Sequence, residues 1–353
     1  MIGIITQPLG YNYGGILQNY ALQTALKKLG YDSVTIDDTY RYNYVRYIFS
    51  CTLTLLAKLI GKSRPFPLRP YKGRIIPSVT GQFIYNKINI TKPSEGLNEK
   101  TISKYGLTTF IVGSDQVWRP SYNKSIYKMY LDCISDRYKK IAYAASFGTD
   151  KWEYNEEETL ICKRLIESFT AVSTREKSGI GLVNRFLDYN DVSLVLDPTL
   201  LLEKTEYLAL CRTVSVKQSG YLCAYVLDLS DEKTNLIRHI ADCKNLELRL
   251  FSAHENLSLS VEEWLSNFRD ASFVVTDSFH GTVFSIIFEK EFIVLQNDER
   301  GADRFVSLLS IFDLTSRIYN ETMCIEDDIQ WEKVNEKLLS IREKSICYLK
   351  NNL

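Results

Sequence analysis

Phe273-Val274-Val275-Thr276-Asp277-Ser278-Phe279-His280-Gly281-Thr282-Val283-Phe284-Ser285-Ile286-Ile287-Phe288 decides the fold. Its first residues are a short β-rich apolar run, as a buried parallel strand requires. Asp277 and Ser278 then offer helix-capping oxygens, and Val283, Phe284, Ile286 and Ile287 continue as a helical apolar stripe. A strand that turns directly into a helix sets the cap, and His280 with it, at the carboxyl edge of a parallel sheet. Open α/β folds bind their ligands there. The first helical turn carries about half a positive charge, and its N–H groups favour an anion. An imidazole exchanges protons near neutral pH, so the corner combines an anion cradle with a proton donor. The plainer reading of His280 is a polar residue beside a cap. His239, in a charged helical stretch, and His254, in a polar loop, have no comparable setting.

At 353 residues the chain exceeds the size at which single cores stop growing, which predicts two domains. The 43 basic and 43 acidic residues balance, but unevenly along the chain. From Thr39 to Ser94 there is no Asp or Glu, while ten Lys and Arg residues fall there, Arg64, Arg69 and Arg74 among them. The eight cysteines form no C-x-x-C pair, so neither a zinc site nor a redox dithiol is expected, and a reducing cytoplasm suits them. No charged leader precedes the first strand, so no secretory signal is expected. The longest apolar stretch, Tyr47 to Ile60, contains Lys58 and is too short to span a bilayer.

Ile2-Gly3-Ile4-Ile5-Thr6 reads as a first buried strand, followed by Gly10-Tyr11-Asn12-Tyr13-Gly14-Gly15 and a helix ending at Gly30. A strand from Ser33 to Ile36 completes a β-α-β unit. The loop is not a G-x-G-x-x-G fingerprint, and Gly14-Gly15 reads either as a ligand-capable turn or as a tight turn only. Further strands at Thr109–Val112, Ile141–Ala145, Thr170–Ser173 and Ser193–Leu196 each end in small polar residues before a helix or turn. A second β-α series runs from Tyr221 to Ile311, and the tail from Ile325 to Leu353 is an amphipathic helix. The pattern predicts an α/β protein of two Rossmann-like doubly wound domains facing a cleft. Their expected bounds are 1–200, with a basic aromatic insertion at about 40–94, and 201–324, followed by a helix over 325–353 that packs back on the first domain.

These motifs, in this order, resemble the polysaccharide pyruvyl transferases. The residues that carry the likeness are Asn12-Tyr13-Gly14-Gly15 with Leu17-Gln18, Gly113-Ser114-Asp115-Gln116-Val117-Trp118 and Ala142-Tyr143-Ala144-Ala145-Ser146-Phe147-Gly148. Ser173-Thr174-Arg175-Glu176, Leu196-Asp197-Pro198-Thr199 and Asp277-Ser278-Phe279-His280-Gly281 complete it. The resemblance covers Ile2 to about Phe312 and leaves out the basic segment and the terminal helix. It implies a GT-B-like pair of domains with phosphoenolpyruvate as donor; ketal formation from that donor requires no metal or further cofactor, and no His/Asp/Glu cluster with ligand spacing argues for one. The acceptor it implies is a sugar of a bacterial glycan, such as an exopolysaccharide or capsule, or of its lipid-linked precursor. The histidine of the family's Arg-Leu-His-Gly-type motif falls on His280 and a donor-binding arginine on Arg175, whereas Ser278 stands where the family has arginine.

Phosphoenolpyruvate carries a carboxylate and a phosphate, so it needs cations or N–H groups at both ends. The expected donor side is Arg175 with Ser278, Phe279, Gly281 and Thr282. A second cation is expected from Arg304, which opens the next helix, or Arg300; the same loop also reads as a solvated charged surface. Asn12, Tyr13, Gly14, Gly15, Gln116, Ser146 and Phe147 are the expected acceptor side, giving hydroxyl-binding groups and an apolar ring face. His280 is the expected catalytic acid. Asp115 reads as a base for an acceptor hydroxyl or as a helix cap, and Asp277 and Asp197 as turn caps. A basic, aromatic segment from about Tyr40 to Arg74 suits either an anionic membrane surface or plain solvent, and carries no nucleic-acid motif. The expected location is cytoplasmic, with peripheral contact at the inner face of the membrane. A glycosyltransferase of the same architecture using a nucleotide sugar and a non-catalytic saccharide-binding relative are the competing readings. The sugar, hydroxyl pair, ketal stereochemistry and oligomeric state are not written in the sequence.

Overall fold

A computed structural model of the chain describes residues 1–37, 44–61, 78–92, 95–123, 125–212, 214, 220–252, 259–296, 301, 303–320 and 328–353. The first domain runs β1 (Ile2–Ile5), α1 (Tyr13–Lys28), β2 (Ser33–Thr35), α2 (Tyr44–Leu59), α3 (Ser78–Lys87), α4 (Glu99–Tyr105) and β3 (Thr109–Val112). It continues through β4 (Lys139–Ala145), α5 (Glu156–Ile166), β5 (Ala171–Thr174), α6 (Lys177–Leu187) and β6 (Val192–Leu194). After α7 (Lys204–Leu210) the second domain runs β7 (Tyr221–Tyr225), α8 (Asp231–Cys243), β8 (Glu247–Phe251), α9 (Val261–Asp270), β9 (Phe273–Thr276), α10 (Phe279–Ile287), β10 (Glu291–Val294) and α11 (Asp303–Ile311). The terminal helix is α12 (Trp331–Asn352).

Among the described residues the first sheet has the order β2-β1-β3-β4-β5-β6 and the second β10-β9-β7-β8, every pairing parallel. Numbered within its own domain, the second sheet repeats the 2-1-3-4 order of the first. The order reverses between β1 and β3, and again between β7 and β9. Parallel sheets covered on both faces need strands that are apolar throughout. All residues of β1, β5, β7 and β9 are indeed buried. Local chemistry sets the helix starts: Asn155 and Glu158 close a capping box on α5, and Ser260 and Glu263 close one on α9.

One apolar core joins the two domains, from Ile4 and Leu17 on one side to Trp264, Phe284 and Leu309 on the other. Polar contacts reinforce the joint. The Tyr13 ring stacks on Trp264 at 5.5 Å and its hydroxyl donates to the Leu259 carbonyl at 2.8 Å. Lys177 N–H donates to Ser307 Oγ at 3.1 Å, and Ser178 bonds Asp303. Helix α12 begins beside the second domain, where Asn335 donates to Glu289 at 2.9 Å. It ends on the first, where Ser345 Oγ accepts from Leu196 N–H and Tyr348 donates to the Ala142 carbonyl.

The stretch from 40 to 94 does not stand outside the fold along its whole length. Helix α3 packs Phe83 and Ile84 into the core, and Thr80 donates to the Gly10 carbonyl at 2.7 Å. The basic composition of the segment hid a crossover helix that the β2-to-β3 connection needs.

Candidate active site at the domain interface

Parallel strands bring their carboxyl ends to one edge, so the polar residues that follow β3, β4, β5 and β6 converge. Arg175, after β5, is the hub. Its Nε donates to Glu176 at 2.9 Å, one terminal nitrogen to Asp197 Oδ2 at 2.7 Å and the other to Asp115 Oδ1 at 3.3 Å. Ser146, after β4, donates to Glu176 at 2.7 Å, and Ser114, after β3, to Asp197 Oδ2 at 3.2 Å. The whole cluster is buried.

Burial alone would lower the Arg175 pKa, but Glu176, Asp197 and Asp115 outweigh it and hold the guanidinium firmly charged. Burial likewise pushes the Asp197 carboxyl up; His280, then Arg175 and Thr199, overcome it and keep the carboxyl well below the usual range. At Glu176 burial wins over Arg175 and Ser146, and its carboxyl is raised.

The second domain contributes the N-terminus of α10. Ser278 Oγ caps it by accepting from Gly281 N–H at 3.2 Å, and Thr282 Oγ1 donates back to the Ser278 carbonyl at 3.1 Å. His280, in this first turn, is 6% exposed. Its Nε2 makes no hydrogen bond and lies 3.7 Å from Asp197 Oδ2, an ion pair whenever the imidazole is protonated. Across the interface is Gly14, in the first turn of α1. A Cβ placed on Gly14 would stand 2.0 Å from His280 Nδ1, so only glycine lets the two helix N-termini meet. Two guanidiniums approach the Phe279 ring, Arg175 at 4.3 Å and Arg304 at 5.8 Å from its centre. Burial, then the nearby Arg175, bring the Arg304 guanidinium down to about 10.

The structure thus gathers Arg175, Arg304, Phe279 and His280 in one corner, with Ser278, Gly281 and Thr282 as the scaffold beneath. Arg300 lies outside the described residues. Asp115 caps no helix; at φ 71° it sits in the left-handed region, and its carboxylate links Asn12, which donates at 3.3 Å, to Arg175. Asn12 and Gly15 border the same corner, with Asn12 Nδ2 3.2 Å from a Cβ placed on Gly15. Gln116 turns to Arg119, whose guanidinium donates to its Oε1 at 3.2 Å.

Two residues expected to face a sugar do not. Phe147, 3% exposed, packs against Trp118, Trp152 and Tyr154 because the apolar side of that loop faces the first domain's aromatic core. Tyr13 serves as an interdomain bolt, and burial followed by Glu263 pushes its hydroxyl up to about 12. Sequence reasoning passed over Glu176 and read Asp197 as a turn cap. Asp197 does cap, accepting from Thr199 N–H at 3.0 Å, but it also pairs with Arg175 and faces His280. The signal was available, since both acids lie just past the ends of neighbouring strands, β5 and β6, of one sheet.

A cavity of about 390 Å³ opens beside this corner at the carboxyl ends of β1 and β2. Thr6, Gln7, Leu9, Asp37, Tyr122 and Asn123 are among its walls, and none of His280, Arg175 and Arg304 lines it. Gln7 connects the two places by donating to the Gln116 carbonyl and to Asn123, each at 3.1 Å. Among the described residues no group of three or more His, Cys, Asp and Glu side chains is placed to hold a metal ion.

The sequence profile of the polysaccharide pyruvyl transferases matches residues 12–299. No curated protein matches the chain. Among solved structures, Staphylococcus aureus MnaA with UDP shares 11% identity over 98% of this chain and 89% of that one, with a TM-score of 0.50. An uncharacterized protein from Klebsiella pneumoniae is 12% identical over 90% of this chain and 92% of that one, TM-score 0.48. The Neisseria meningitidis UDP-GlcNAc 2-epimerase bound to UDP-GlcNAc is 9% identical over 100% and 95%, TM-score 0.46. Identities this low speak to fold alone. The fold is α/β, with two Rossmann-like domains in a GT-B-like arrangement.

Proposed function

The chain belongs to the polysaccharide pyruvyl transferase family, and we propose that it moves the pyruvyl group of phosphoenolpyruvate onto two hydroxyls of a saccharide, as a cyclic ketal. The observation that carries this reading is His280, a buried imidazole whose Nε2 makes no hydrogen bond, set between Asp197 and the Phe279–Arg304 corner. A buried polar atom left unpaired is costly, and such atoms mark places where a further partner or a reaction belongs.

In the proposed step the His280 imidazolium gives its proton to C3 of the enol, turning the methylene into a methyl and leaving cationic character at C2. A first acceptor hydroxyl adds to C2 and sheds its proton. A second hydroxyl then displaces phosphate by breaking the C2–O bond. Of the two hydroxyl protons released, one recharges the imidazole and the other leaves with phosphate. Asp197, ionised throughout the ordinary pH range, steadies the imidazolium. Arg304 supplies the cation for an anionic end of the donor. Arg175, matched by three carboxylates, contributes mainly by fixing Phe279, Asp115 and Asp197. The acceptor enters from the first domain past Asn12 and Gly15, with Asp115 facing its hydroxyls.

The reading is tested by incubating the protein with phosphoenolpyruvate and a panel of lipid-linked and nitrophenyl sugars. Equal yields of phosphate and of sugar heavier by pyruvate less water are expected. Transfer from a nucleotide sugar instead would assign the cleft to glycosyl transfer, and saccharide binding without phosphate release would make the protein a binding relative.

A further inference from the structure

Helix α2 wears its apolar face outward. Ile48, Phe49, Leu55, Leu56 and Leu59, continued by Ile60 in the following turn, are between 51% and 82% exposed. At 100° per residue they fall on one side of the helix, with only Thr52 interrupting them. Thr54, on the opposite side, is fully buried. A helix docked on its own domain shows the reverse pattern. So long an exposed apolar stripe marks a contact surface.

We infer that this face is the seat of an anionic lipid bilayer surface, with α2 lying in the plane of the interface. The composition of the sequence segment that contains it selects this occupant. The segment from Thr39 to Ser94 that contains α2 carries ten Lys and Arg residues and no acidic one. Such a segment is drawn to anionic headgroups, while Ile, Leu and Phe side chains enter the acyl boundary. A second copy of the chain is a poor match, because a two-fold interface would set this basic segment against itself. The helix does not cross the bilayer: no described helix is long and apolar enough to do so. The inference rests on the pyruvyl-transfer reading only for its purpose, which is to bring the cleft to a lipid-linked acceptor. Its test needs no turnover.

Full-length protein is floated with phosphatidylcholine vesicles with and without phosphatidylglycerol, alongside a Phe49→Ser, Leu56→Ser, Leu59→Ser variant. Because the three side chains are exposed, the variant should keep the wild-type melting curve and circular dichroism. Binding to the phosphatidylglycerol vesicles is expected for wild type, with at least a tenfold fall in the variant and on leaving out the anionic lipid. Equal flotation of variant and wild type, or equal binding to both vesicle types, would overturn the proposal. So would light scattering that shows a wild-type dimer and a monomeric variant, since the stripe would then join two copies. Pyruvyl transfer to a water-soluble nitrophenyl sugar should be the same in both proteins, which separates this outcome from failure of the catalytic reading.

Discussion

Gly14 and His280 meet face to face across the domain interface, so closely that a methyl group on Gly14 would lie 2.0 Å from the imidazole Nδ1. Each belongs to the first turn of a helix, α1 in one domain and α10 in the other. Backbone carries this approach, so no larger side chain fits without moving the imidazole or parting the domains. Gly14→Ala is therefore expected to cost about 1–3 kcal/mol of stability, the usual range for overpacking. It should also cost far more activity than its stability loss explains. Thermal melting and turnover on the same preparation check both; a variant with a wild-type melt and wild-type turnover would show that the contact is slack.

Arg175 answers for stability as much as for chemistry. Removing its guanidinium leaves Asp115, Glu176 and Asp197 buried together without their common cation. Breaking a buried charge network in this way costs about 3–5 kcal/mol. Arg175→Ala should thus lower the urea midpoint sharply, with Arg175→Lys intermediate because an ammonium cannot reproduce the forked geometry. A variant that keeps wild-type stability and loses only donor affinity would assign the guanidinium to the ligand instead.

Asp197 gives the acid limb of stability a defined sign. Its folded carboxyl is held below the value of an unfolded aspartate. The stability it supplies is complete above about pH 4 and drains away as the pH falls through the folded value. Glu176 works the other way: its raised carboxyl favours the folded state at low pH, and that contribution is lost as the pH rises through its folded value. Asp197→Asn should therefore be less stable at neutral pH yet flatter from pH 5 downward. Melting temperatures measured across that range check this, and an unchanged slope would remove Asp197 from the linkage.

Arg304 is where an anion should be felt. Its guanidinium, brought down to about 10 by burial and then by Arg175, regains favourable surroundings when a negative group arrives. One charge-assisted hydrogen bond is worth about 1.5–3 kcal/mol, or roughly 10- to 150-fold. Arg304→Gln should raise the KM for phosphoenolpyruvate by that factor and leave acceptor KM nearly unchanged. Equal effects on both substrates would indicate a structural role.

Much of this was legible from the chain alone. The strand-to-helix turn at Thr276–His280 announced itself through a β-branched run, a capping serine and a helical stripe, and the structure has β9, cap and α10 there. The alternation of small polar residues after each strand predicted the convergence that Arg175 now anchors. What the sequence could not give was facing. Phe147, in the loop after β4, and Tyr13, at the start of α1, are rings among polar neighbours in the sequence, and only the packed domains decide that one enters a core and the other spans an interface. The pairing of Asp197 with His280 joins residues 83 positions apart in different domains, a relation that neither spacing nor periodicity encodes. Helix α3 was masked by its basic neighbours, and the outward stripe of α2 by the ordinary habit of placing apolar residues inside.

The most direct measurement is phosphate release from phosphoenolpyruvate, followed together with the mass of the acceptor sugar, for wild type and His280→Ala at equal folded concentration. Wild type should release one phosphate for each ketal formed. Loss of a positioned acid typically costs about 10²–10⁴-fold in rate, and the variant should fall by that much while keeping its melting temperature within a few degrees. A His280→Ala protein that turns over at the wild-type rate, or a wild type that makes the ketal from no sugar while transferring from a nucleotide sugar, would contradict the account.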